Sequence, residues 1–133
     1  MDRMFNKCSS LKELNLSNFN TENLTSMDSM FYKCSSLEEL NLSNFNTNNV
    51  IYIGWMFSGC SSLKELNLSG FNTKKVIMMN YMFSKCSEEL KLKLRSRYKN
   101  FYEKFLRIIM MLIMIRIILF KMKLINLINY NYN

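Results

Sequence analysis

Four cysteines, Cys8, Cys34, Cys60 and Cys86, stand 26 residues apart. Met4-Phe5, Met30-Phe31, Met56-Phe57 and Met82-Phe83 keep the same step, and CSSLKELNLSNFNT recurs as CSSLEELNLSNFNT and CSSLKELNLSGFNT. Such recurrence constrains the fold more than any other feature. A short unit cannot bury its own apolar side, so each must stack on its neighbours, and like residues then meet in columns.

Two spacings alternate inside the unit. Leu11, Leu14 and Leu16 read L-x-x-L-x-L, and Leu14 and Leu16 alternate with Glu13, Asn15 and Ser17. That is strand spacing with one buried face. Met27, Met30, Phe31 and Cys34 then follow at i, i+3, i+4 and i+7, the spacing of one helical face. A polar turn, Ser17-Asn18-Phe19-Asn20-Thr21, links the two. The expected fold is α/β: a leucine-rich-repeat solenoid of about three and a half 26-residue coils, each a short parallel strand, a turn and a short helix.

The unit MF-x-x-CSSL-x-EL-NLS-x-FNT resembles the BspA-family leucine-rich-repeat surface proteins, over roughly residues 1–94. The resemblance implies a secreted or cell-surface protein of adhesion type that binds other proteins. Phe19, Phe45 and Phe71 stand where the general leucine-rich pattern puts a buried Asn. The Asn-Thr pair after each Phe is expected to satisfy the turn backbone instead.

The array breaks at both ends. Met1 aligns with Met27, so the chain opens mid-unit, without a signal peptide, and compartment is not legible from the chain itself. After Cys86 the chain is two residues short of the pattern, and Leu90 and Leu92 are expected in the places of Leu14 and Leu16, at a fraying end. The expected domains are 1–94, the repeats, and 95–133, a basic Ile/Met/Asn-rich tail, helical or disordered. Residues 1–94 hold ten Lys/Arg against nine Asp/Glu, and residues 95–133 hold eight against one, so the basic character belongs to the tail.

The expected function is non-catalytic. The chain has no His and two Asp, no glycine-rich phosphate loop and no base beside its recurring serines, so no catalytic, cofactor or metal residue is assigned. The cysteines are too far apart in sequence for a close-paired metal motif and are expected as reduced core thiols. The candidate binding face is a polar ladder beside the strand leucines: Glu13, Asn15 and Ser17; Glu39, Asn41 and Ser43; Glu65, Asn67 and Ser69. Glu89 is expected to extend its acidic column. A cationic or hydrogen-bonding protein surface suits that face, and self-association through uncapped ends is a further route to contact. Nucleic acid is not expected, since the tail cations are scattered among Ile and Met. Residues 108–120 are thirteen long with Arg116 inside, short of the ~20 apolar residues of a span, so membrane association through the tail is open but not favoured. The alternatives are a truncated or frame-shifted remnant of a longer repeat protein, and a membrane-tethered structural repeat protein.

Overall fold

The computed structural model describes residues 1–131. They form a small α/β fold with two short parallel strands, β1 (Glu39–Asn41) and β2 (Glu65–Asn67), followed by two helices, α1 (Glu88–Arg97) and α2 (Lys99–Asn131). The strands pair with Glu39 opposite Glu65, Leu40 opposite Leu66 and Asn41 opposite Asn67. Isolated parallel bridges join Ser26 to Tyr52 and Tyr52 to Met78.

This corrects the expected solenoid of about three and a half strand-turn-helix coils. Only two of the units build a strand, and the Met-Phe segments are not helices. Their backbone N–H groups alternate between two partners. In residues 27–34, Met30, Tyr32 and Cys34 donate to the carbonyls of Met27, Ser29 and Phe31, closing tight turns. Met27, Ser29, Phe31 and Lys33 donate instead to Tyr52, Gly54, Met56 and Ser58 of the next unit. Ser29, Lys33, Trp55, Tyr81 and Lys85 sit at positive φ, at a cost of about 1–2 kcal/mol each. The i, i+3, i+4, i+7 spacing therefore identified buried side chains correctly, since Met27, Met30, Phe31 and Cys34 are all fully buried. It misassigned the backbone, because inter-unit hydrogen bonds replace the i→i−4 bonds of a helix.

Columns of like residues form the core. Phe5, Phe31, Phe57 and Phe83 stack with ring centroids 5.5–5.7 Å apart and nearly parallel planes, near the favoured separation for aromatic pairs. The thiols of Cys34, Cys60 and Cys86 donate to the carbonyls of Phe5, Phe31 and Phe57 at 3.0–3.1 Å. Burial pushes the Cys34 and Cys86 thiols up to about 11, and Cys60 further still. None of the four is disulfide-bonded; Cys8, in the first unit, is exposed rather than a core residue.

After Cys86 the chain turns helical. Ser87 caps α1 by accepting from the Leu90 N–H, Glu88 and Glu89 occupy the first turn, and Arg95 and Arg97 the last. Each charge suits the helix dipole. Leu90 and Leu94, one turn apart, are buried, while Leu92 is 64% exposed. Leu90 and Leu92 therefore do not repeat Leu14 and Leu16, and the C-terminal end is closed by a packed helix rather than frayed. The expected boundary at 94/95 falls inside α1. In α2, Phe101 and Phe105 meet Phe83 edge-on, with centroids 6.4 and 5.8 Å away, and so end the phenylalanine column.

Candidate interaction face

The parallel pairing of β1 and β2 brings the predicted ladder residues of the second and third units side by side. Leu40 and Leu66 point inward and are buried; Glu39 and Asn41 point out and are exposed, while Glu65 and Asn67 are half-buried. In the first unit, Glu13, Asn15 and Ser17 are exposed but lie outside the strands. Eight of the nine predicted residues line one open groove; Ser69 does not.

A turn ends each rung. The side-chain oxygens of Asn15, Asn41 and Asn67 accept from the N–H of Ser17, Ser43 and Ser69 at 3.0 Å. Each Asn thus stops the extended run by offering the backbone a local partner. One turn later Asn20, Asn46 and Asn72 repeat the device on Glu22, Asn48 and Lys74. Thr21 and Thr47 accept from the N–H of Asn46 and Asn72 in the following unit. Asn20-Thr21 and Asn46-Thr47 thus satisfy turn backbone with both side chains, and in the third pair Asn72 does so with its own.

The electrostatics are graded along the groove. Glu65 is held by Lys93 at 2.8 Å and approached by Arg97 at 3.7 Å, both from α1. The Lys93 ammonium keeps its carboxyl below the usual range. The Tyr98 hydroxyl donates to Asn67 Oδ1 at 3.2 Å and accepts from the Leu68 N–H at 3.0 Å, which occupies groups on the open side of β2. Glu38 pairs with Lys64 at 2.7 Å, and that contact lowers its pKa, with a smaller contribution from Lys12. Among the described residues Glu13 and Glu39 have no ion-pair partner. Stacked like charges cost energy at strand spacing. Here the neighbouring column, Lys12, Glu38 and Lys64, alternates in sign.

Lys12, Glu38, Asn44 and Arg97, outside the predicted ladder, also line the groove. The alternating Lys12/Glu38/Lys64 column was visible at the repeat step. Arg97 was not, because its place depends on α1 folding back. Glu89, expected on the ladder, lies on α1 and pairs with Lys93 at 3.1 Å.

A family model described as a Mycoplasma protein of unknown function, DUF285, matches residues 1–99. No curated protein and no solved structure matches the chain.

Proposed function

The chain belongs to the DUF285 family of Mycoplasma proteins of unknown function, and from that premise we propose a non-catalytic module that binds a protein segment along its polar groove. The observation that carries this reading is the pair of carboxylates, Glu13 and Glu39, that have no ion-pair partner among the described residues and stand beside the amides of Asn15 and Asn41. The chain's own α1 supplies a template for the ligand. Lys93 and Arg97 reach Glu65, and Tyr98 reaches Asn67, so basic and hydroxyl-bearing side chains suit this chemistry. A partner carrying Lys or Arg with interleaved hydroxyl groups could make the equivalent contacts with Glu39 and Asn41. The resemblance to BspA-type surface proteins supports an adhesion role at the cell surface or after secretion.

Calorimetric titration with a synthetic peptide of alternating Lys and Ser tests the reading. Exposed ion pairs contribute about 0.2–1 kcal/mol each, so Glu13→Gln with Glu39→Gln should weaken binding several-fold. Added salt should do the same. Equal affinity for the native chain and the double variant would remove the groove as the binding face.

A further inference from the structure

Beyond Ile109, α2 is exposed from Met110 through Ile125 and at Leu127, with Leu112, Ile113, Ile115 and Arg116 walling an open cavity against Met78, Tyr81 and Lys91. A helix with large apolar residues on every side, interrupted by few charges, is not at rest in water. Within it, Leu106, Met110, Ile113, Ile117, Phe120 and Leu124 recur at alternating steps of four and three, giving one continuous stripe. Arg116 and Lys123 flank it on one side, Arg107 and Lys121 on the other. No acidic residue follows Glu103.

Two occupants could cover such a stripe. A second copy of the chain would use the step of four and three as a coiled-coil seam. Its flanks would then set Arg116 against Lys121 of the other copy, and like charges there oppose pairing. It would also leave Met111, Leu112, Ile115 and Ile118, away from the seam, in water. An anionic lipid surface attracts the flanking cations instead of setting them against one another, and a helix sunk into the acyl boundary leaves fewer of those apolar residues in water than a single seam does. The cationic ends snorkel to the headgroups while their stems and the surrounding Ile, Leu and Met enter the acyl boundary. No helix among the described residues is long and apolar enough to cross a membrane. We therefore propose that residues 106–127, about 33 Å of helix, lie in the headgroup–acyl boundary of a bilayer containing anionic lipid. This is independent of the polar groove. The foot of the helix is fixed to the repeats by Phe101 and Phe105 against Phe83 and by the Lys104 ammonium donating to the carbonyls of Thr73 and Lys74.

Co-sedimentation of the full chain with vesicles tests this. One set is phosphatidylcholine alone; the other contains phosphatidylglycerol as well. Partition should be at least about tenfold stronger onto the anionic set, and should weaken with salt. The variant R116Q/K121Q/K123Q should lose about 100-fold of its partition onto anionic vesicles. The variant I117N/F120N should lose partition onto both sets. All five positions are exposed, so circular dichroism should show the repeats intact. Equal partition of the native chain onto the two sets, or an unchanged triple variant, would overturn the proposal. So would a stable dimer in vesicle-free solution that stays off the vesicles.

Discussion

Gly70 is the place where restoring the repeat should do harm. Asn18 and Asn44 occupy its column, so the repeat pattern would favour a larger residue there. The structure opposes it: a Cβ on Gly70 would lie 2.1 Å from the Ser43 carbonyl oxygen and 3.0 Å from its carbon. An ordinary C···O contact is about 3.3 Å, so one segment must retreat by roughly 1 Å. The obstacle is backbone just beyond β1, held by the Asn41–Ser43 turn and followed by the buried Phe45. Overpacking of this kind costs about 1–3 kcal/mol. Gly70 is not at positive φ, so alanine would recover about 0.4–1 kcal/mol through the unfolded state. Gly70→Ala should therefore destabilise by about 1–2 kcal/mol, a melting temperature lower by roughly 3–10 °C. Asn44→Ala is the control. It adds no atom and removes only the Asn44 amide bonds to the carbonyls of Leu16 and Ser17, worth about 0.5–1.5 kcal/mol in total if partly replaced by water. Thermal and urea unfolding followed by circular dichroism decides the sign. If Gly70→Ala unfolds at or above the native midpoint, the close approach of the two turns does not govern this position.

The C-terminal closure predicts that Leu90→Ala and Leu66→Ala, removing side chains 1% and 2% exposed, each cost about 2–5 kcal/mol; a much smaller loss at Leu90, read by urea unfolding, would mean that α1 is not part of the core. A chain ending at residue 94 loses Phe101 and Phe105 and exposes Phe83, so it should melt earlier than one ending at residue 110, and matching melting curves would contradict that packing. Mass spectrometry after native alkylation should find Cys8 modified first, with Cys34, Cys60 and Cys86 reacting only once urea is added, because burial raises their pKa and leaves little thiolate to attack. The same raised values mean that the folded chain holds these protons more tightly than the unfolded chain. Their contribution to stability is complete below about pH 9 and falls as pH rises through about 11; urea midpoints independent of pH across that window would contradict it.

The sequence by itself determined which side chains share a column. Copied residues at a fixed step must meet their own copies, and the phenylalanine stack, the cysteine hydrogen bonds and most of the polar ladder follow from that. It also located the composition break near residue 95. The backbone between those columns was not legible. Met27, Met30, Phe31 and Cys34 have helical spacing, yet the N–H groups around them reach carbonyls 25 residues away, and no local pattern distinguishes those partners from an i→i−4 bond. Tertiary structure also decided the end of the array. Leu90 and Leu92 keep the strand spacing, but with Ser87 as a cap and no following unit to pair with, the segment satisfies its backbone internally as α1 and buries Leu90 with Leu94 instead. That choice brings Lys93, Arg97 and Tyr98 onto Glu65 and Asn67, while Glu13 and Glu39 have no ion-pair partner among the described residues. Which rungs of the ladder stay available thus depends on where a helix later in the chain comes to rest, and only packing sets that.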